Sequence, residues 1–189
     1  MKMAERRRSV LMLINYYCFA MMIASICLLE SPGLTCADRN FVLKTCNNTD
    51  TPDLCAQILL SDPRSVNATD VRGLTDIALD IAARSADSAS SHASDLSDKY
   101  EGLPEQEPLD LCKEGWSEAA DDLRDAHEQV DEANYTAAAR IIGEAVDNGN
   151  VCEKAFADDG LKSVMADVDK TTSDQVVLAM DLISLLNVP

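Results

Sequence analysis

The sequence predicts an all-α protein: an up-down four-helix bundle preceded by a short helical hairpin and held by two disulfides. Three observations carry that reading. Apolar residues recur at three- and four-residue spacing through most of the chain, the period of helices that each bury one face. Aromatic residues make up only 4% while Ala, Leu, Asp and Ser are abundant, which favours helices over a β-sandwich. Four of the seven cysteines lie beyond an apolar leader, an even number in a chain that begins like an exported protein. At 189 residues and 47% hydrophobic content, the length fits one domain with appendages and the composition excludes wholesale disorder.

The leader comes first. Lys2, Arg6, Arg7 and Arg8 precede an almost unbroken apolar run from Val10 to Leu29, the layout of a secretory signal peptide. Thr35 and Ala37 suit cleavage before Asp38, with a second site offered by Ser31 and Gly33. Twenty apolar residues are also long enough to anchor a chain in a bilayer, but Pro32 and Gly33 follow without an anchor's flank, which favours cleavage. Residues 1–37 are therefore read as a signal peptide, 38–66 as the hairpin and 67–189 as the bundle, with 38–189 one domain. Cleavage after Ala37 removes Cys18, Cys27 and Cys36, and cleavage before Leu34 would leave Cys36 as an unpaired thiol.

The hairpin follows. Asp38 to Cys46 is a short segment with Phe41 and Val42. Thr51-Pro52-Asp53 reads as a helix start, with Thr51 as cap, Pro52 at the first helical position and Asp53 near the positive end of the dipole. Leu54, Cys55, Ile58 and Leu59 form its apolar stripe, and Asp62-Pro63 ends it. Neither piece is long enough to be stable alone.

Four longer helices complete the bundle. The first runs from Asn67 to about Tyr100, with Val71, Leu74, Ala78, Ile81, Ser85, Ser88, His92, Leu96 and Tyr100 in helical register; its Ala/Ser-rich middle predicts close helix approach, fraying towards the end. Gly102 and Pro104 break it. Pro108 to about Asp131 is the clearest helix, with Leu109, Cys112, Trp116, Ala119, Leu123, Ala126 and Val130 on a single seam. Asn134 to Asn148 is the third, closed by Gly149 as a C-terminal cap. Cys152 to Phe156 and a polar loop precede a last helix, capped by Thr172 or Ser173 and burying Val176, Ala179, Met180, Ile183 and Leu186.

This topology pairs the cysteines. Four allow three connectivities. The second and third long helices are joined by a very short loop and must run antiparallel, which brings Cys112 beside Cys152; Cys46 and Cys55 lie in the two arms of the hairpin. Cys46–Cys55 and Cys112–Cys152 follow. The second pair closes a 40-residue loop, worth about 4 kcal/mol in the chain-entropy account.

Charge and chemistry narrow the function. A net charge of −17, or −19 after removal of the leader, and a pI near 4.3 argue against nucleic acid, anionic membranes and direct binding of polyanionic polysaccharide. No C-x-x-C occurs and His92 and His127 are the only histidines, a poor basis for zinc. Neither histidine accompanies a serine in a nucleophile-elbow context, and no glycine-rich phosphate loop is present. Asp121 and Asp122 are adjacent on a helix and diverge by about 100 degrees, so they do not face one substrate. Neither catalysis, nor a metal, nor a cofactor is expected. Glu114, Glu118, Asp121, Asp122, Asp125 and Glu128 form an outward acidic strip. It serves solubility, or it steers the chain to a basic partner. Asn47, Asn67 and Asn134 open Asn-x-Thr sequons, glycan acceptors in a secreted chain.

Taken together, the spaced motifs resemble the plant invertase and pectin methylesterase inhibitor family over about Phe41 to Leu186. They are Cys46 and Cys55 with eight residues between, Ser61-Asp62-Pro63-Arg64-Ser65, Asp110-Leu111-Cys112, Asn134-Tyr135-Thr136-Ala137-Ala138 and Val151-Cys152-Glu153-Lys154-Ala155-Phe156. The resemblance implies a hairpin-plus-bundle fold with the same disulfide pairing. It also implies an apoplastic cell-wall protein that inhibits a carbohydrate-active enzyme in a one-to-one complex by covering its substrate cleft. Some invertase inhibitors of the family carry a Pro-Lys-Phe segment that enters the sucrose pocket; the corresponding Asp131-Glu132-Ala133-Asn134-Tyr135-Thr136 lacks it, and a glycan on Asn134 would crowd that corner. Pectin methylesterase is thus favoured over invertase as the partner. A reading of another class is a small-molecule carrier, with a cavity left by the Ala/Ser-rich helix.

Overall fold

The structure, a computed structural model, describes residues 34–187, with side chains from Arg39 onward. Residues 1–37 and 38–189 form two separate units; of the first, only 34–37, the start of a helix, are described. The leader, with Cys18 and Cys27, lies outside the described residues. The order is α1 (Leu34–Cys46), α2 (Pro52–Ser61), a 3₁₀ turn (Ser65–Asn67), α3 (Val71–Lys99), α4 (Gln106–Asp131), α5 (Tyr135–Asp158) and α6 (Ala166–Leu186). Among the described residues there is no strand. Each of α3 to α6 packs against its two neighbours, in the cycle α3–α4–α5–α6–α3, which is the up-down bundle. Both disulfides are formed, Cys46–Cys55 across the hairpin and Cys112–Cys152 between α4 and α5.

The seam on α4 is the one the spacing marks: Leu109, Cys112, Trp116, Ala119, Leu123, Ala126 and Val130 are all buried. α2 begins at Pro52 as expected, although the Thr51 side chain makes no capping bond. Asp70, rather than Asn67, caps α3, its carboxylate accepting from the Gly73 N–H at 2.8 Å. Asn67 sits in the 3₁₀ turn before it.

Three expectations are corrected by the fold. The first concerns α3, which does not fray. Its buried face is Ala78, Ala82, Ala86, Ala89, Ala93 and Ser97, while Ser88 and His92 of the expected stripe are exposed. Small side chains let α3 approach its neighbours closely, and its serines bond across the gap. Ser97 Oγ donates to Asp110 Oδ1 at 2.6 Å and Ser90 Oγ to the Lys113 carbonyl at 2.8 Å. The alanine stripe is packed in the bundle core.

Secondly, Gly149 does not cap a helix. α5 runs through it to Asp158, because Gly149 is needed for close approach instead. A Cβ there would lie 2.7 Å from Cη2 and 2.9 Å from Cζ3 of the Trp116 indole. On the facing helix, a Cβ at Gly115 would lie 2.5 Å from the Asn148 carbonyl oxygen. The two glycines let α4 and α5 meet near Cys112–Cys152.

Lastly, α6 starts at Ala166, about two turns before the expected cap, so Thr172 lies inside the helix and is buried against Ser85, with their hydroxyls 3.0 Å apart. Two polar residues of this extra length, Asp169 and Thr172, point inward to partners, while Asp167, Lys170 and Thr171 face solvent. Asp169 accepts a hydrogen bond from Trp116 Nε1 at 2.9 Å and is only 6% exposed. Burial pushes its carboxyl up to about 6, with Glu153 nearby raising it further and the Trp116 N–H opposing.

A pH dependence follows. A raised carboxyl pKa means that the folded state holds the proton between about pH 4 and 6, where the unfolded chain releases it. The contribution of Asp169 is therefore fully favourable below that window and is lost as pH rises through it. Displacement from 3.8 to about 6 corresponds to about 3 kcal/mol. Asp169→Asn removes this dependence, so its stability relative to the unmodified chain should rise by about that amount between pH 4 and 7. Parallel urea titrations across pH measure it, and curves that stay parallel would contradict it.

Candidate partner-docking face

α4 presents the acidic strip because its seam residues turn the intervening positions to solvent. Glu114, Glu118, Asp121 and Asp125 are exposed, as is Glu128, but the strip divides. Asp122 is half-buried between α4 and α5, where its Oδ2 accepts from Asn148 Nδ2 at 2.8 Å. Burial raises its pKa, and Glu144, Asp125 and Glu118 push in the same direction. Asp121 turns the other way, to Arg124 at 2.8 Å, and Arg124 also reaches Asp87 of α3. Of the adjacent pair, Asp122 thus turns to α5 while Asp121 stays on the exposed surface of α4, as the 100-degree divergence requires. Glu114, Glu118, Asp125 and Glu128 make no ion pair among the described residues. They are the strip's uncompensated charges.

The other side of α4 is electrostatically closed. A groove of about 550 Å³ runs between α3 and α4. Its arginines are occupied: Arg64 by Asp62 and Asp80, Arg84 by Asp80, Arg124 by Asp87 and Asp121. Here the Ser61–Ser65 motif finds its role. Asp62 Oδ1 accepts from the Arg64 backbone N–H at 2.9 Å, and its carboxylate grips the Arg64 guanidinium. That hydrogen bonding holds Asp62 down at about 2. Arg64 in turn reaches Asp80 Oδ2 at 2.5 Å, fastening the turn after the hairpin to α3. In the sequence this motif signals only the family resemblance; its network is not legible there, because Asp80 lies 16 residues from Arg64.

No constellation for chemistry assembles among the described residues. His92 is exposed. His127 stands 3.9 Å from Asp76 and 3.8 Å from Asp131, which makes it a bridge between charged side chains rather than a base beside a nucleophile. Cys152, Glu153 and Asp169 converge within 4.8 Å, but the sulfur is committed to Cys112 and cannot serve as a thiolate ligand. No helix among the described residues is long and apolar enough to cross a membrane.

The three sequon asparagines are exposed. Asn47 follows α1, Asn67 ends the 3₁₀ turn and Asn134 precedes α5.

A disulfide-linked helical bundle with an acidic exterior and no assembled catalytic constellation among the described residues defines a class of proteins that act through their surface. The chain belongs to the plant invertase/pectin methylesterase inhibitor family, whose model matches residues 40–184; this is a family of inhibitor proteins, not enzymes. It is similar to the pectinesterase inhibitor of Actinidia deliciosa, 29% identical over 120 residues, covering 64% of this chain and 64% of that protein. It is also similar to the cell wall / vacuolar inhibitor of fructosidase 2 of Arabidopsis thaliana, 33% identical over 113 residues, covering 59% of this chain and 62% of that protein. The matches thus span slightly under two thirds of each relative's length. Among solved structures, a mutant form of a pectin methylesterase inhibitor from Arabidopsis aligns with a TM-score of 0.64 at 18% identity, covering 74% of this chain and 93% of that one. A second Arabidopsis thaliana pectin methylesterase inhibitor aligns at 0.58 and 16% identity, covering 79% and 98%. These likenesses establish the fold.

Proposed function

We propose that the chain is a secreted, apoplastic inhibitor of pectin methylesterase. It forms a one-to-one complex that closes the enzyme's substrate cleft, placing no residue in the chemistry. The observation that carries the choice of target is the corner between α4 and α5. Asp131 to Thr136 lacks a Pro-Lys-Phe segment, and Asn134 stands exposed there as a glycan acceptor. The second reading, inhibition of a cell-wall or vacuolar invertase, is favoured by the relative named as an inhibitor of fructosidase. Titrating the purified 38–189 chain into both enzymes decides between them. Loss of pectin methylesterase activity with an equivalence point at one inhibitor per enzyme is expected. Inhibition of invertase alone would transfer the proposal to the second target.

Glu114, Glu118 and Asp125 supply the steering charge towards a basic partner surface. Between about 0.01 and 1 M salt the Debye length shrinks from roughly 30 to 3 Å, and association is expected to slow by about tenfold or more. Replacing Glu114 and Glu118 by Gln and Asp125 by Asn together should flatten most of that dependence. Stopped-flow binding measures the rates, and a rate indifferent to salt would leave the strip a solubility feature only.

A further inference from the structure

The three sequons are distant in sequence, yet the fold brings Asn67 and Asn134 to one end of the bundle and Asn47 to the flank beside it. Asn67 and Asn134 are linked through helix ends. Arg72, in the first turn of α3, donates from Nη2 to the Asp131 carboxylate at 2.9 Å and to its carbonyl at 3.3 Å, at the last residue of α4. Arg72 follows Asn67 by five residues, and Asp131 precedes Asn134 by three. Asn47 joins them through α6. Asp50, three residues further on, has its backbone beside the Asp181 carboxylate, whose pKa it lowers against the rise caused by burial. Six residues after Asp181, Asn187 donates from Nδ2 to the Tyr135 carbonyl at 3.2 Å, at the start of α5. Six helical residues span about 9 Å, so the Asp50 side of the hairpin, with Asn47 three residues away, flanks the bundle just below that end. The opposite end, formed by residues 100–105 and 159–165, contains no sequon.

The asparagines are also free to be modified. All three are exposed. Asn67 and Asn134 each use Nδ2 in a single surface hydrogen bond, to the Pro63 carbonyl at 3.2 Å and to Gln129 Oε1 at 3.0 Å. A glycosylated amide keeps one N–H, so either bond survives the linkage.

From this geometry we infer that the chain carries N-glycans at Asn47, Asn67 and Asn134, which form a carbohydrate cap over the hairpin end of the bundle and exclude that end from the docking surface. The inference rests on the reading of the chain as a secreted inhibitor and adds an orientation to it. An N-glycan is bulky and hydrophilic, and pressing its hydroxyls into a protein interface without partners is costly. The complex is therefore entered from the uncapped side. Glu114 lies 17 residues from the capped end of α4 at Asp131, about 26 Å along the helix axis, whereas Asp125 lies about 9 Å from it. The Glu114–Asp121 stretch is the part of the strip that glycans leave clear.

The test uses the chain secreted from plant cells. Intact mass before and after enzymatic deglycosylation, with Asn→Gln replacement at each position in turn, counts and assigns the glycans. Inhibition is then compared for glycosylated and deglycosylated protein. Three occupied sites and inhibition constants within about threefold of each other are expected. An unoccupied site, or inhibition that tightens by about tenfold (1.4 kcal/mol) on deglycosylation, overturns the inference. As a positive control, Leu111→Asn with Lys113→Thr adds a sequon at two exposed positions beside the Glu114–Asp121 stretch, and its glycan should weaken inhibition at least about tenfold; an unaffected constant would also overturn the assigned orientation. If neither glycoform inhibits either enzyme, the inhibitor reading has failed, and with it the orientation, while the mass assignment still decides whether the cap exists.

Discussion

Replacing Cys112 and Cys152 together by Ala lowers the unfolding free energy by about 4 kcal/mol, the loop-closure entropy that the cross-link removes from the unfolded chain. The loop spans 40 residues, against a sequence separation of 9 for Cys46–Cys55, for which the same relation yields only about 2.6 kcal/mol. For a domain of this size the larger loss shifts the melting midpoint by roughly 8–16 °C. The double substitution is the informative one, since a single replacement leaves a buried free thiol. Thermal melts of the oxidised parent and the double variant measure the difference. A midpoint within a few degrees of the parent would mean that the glycine-mediated contact of α4 with α5 already restrains the loop.

Trp116→Ala is the second large effect. The indole is 1% exposed, and truncating a buried aromatic to Ala costs about 3–5 kcal/mol. The substitution also strands the Asp169 carboxylate, which loses its only donor among the described residues. Trp116→Phe separates the two terms. It keeps most of the volume against Gly149 but removes the N–H, so it should cost about 1–3 kcal/mol. That cost should grow as pH rises through the titration of Asp169, because the ionised form is the one that needs the donor. Urea unfolding of both variants at pH 5 and 7.5 checks this. A Trp116→Phe penalty independent of pH would show that the hydrogen bond contributes little to the buried carboxylate.

Much of this architecture was legible before any coordinates. The seam of α4 could be read because its apolar residues are large and its intervening positions charged, so the period is unambiguous. The disulfide pairing followed from loop length, since a loop as short as Glu132–Asn134 leaves α4 and α5 no arrangement but antiparallel. The stripe on α3 was misjudged for the opposite reason. Alanine and serine differ too little in hydropathy for the period to separate a buried position such as Ala89 from an exposed one such as Ser88. Gly149 was read as a cap because glycine commonly ends helices; its reason for being there is the Trp116 ring, 33 residues away. Asp169 and Thr172 looked like a loop and a cap because their partners, Trp116 and Ser85, are distant in sequence.

The candidate docking face divides in the same way. Its acidity and its place on α4 are properties of the residues in order. Which carboxylates remain free is not, because Asp121 is neutralised by a cation of its own helix and Asp122 is drawn into the contact with α5.

By itself, the sequence determined the helical class, the number and order of the long helices, the cross-links and the sign of the surface charge. Each of these depends on composition or on spacing within one or two turns. Only the tertiary structure decided where α5 ends and α6 begins, which face of α3 is buried, which acids stay unpaired and that Asn67 and Asn134 flank adjoining helix ends. Those outcomes depend on contacts between residues tens of positions apart, where packing outweighs local preference.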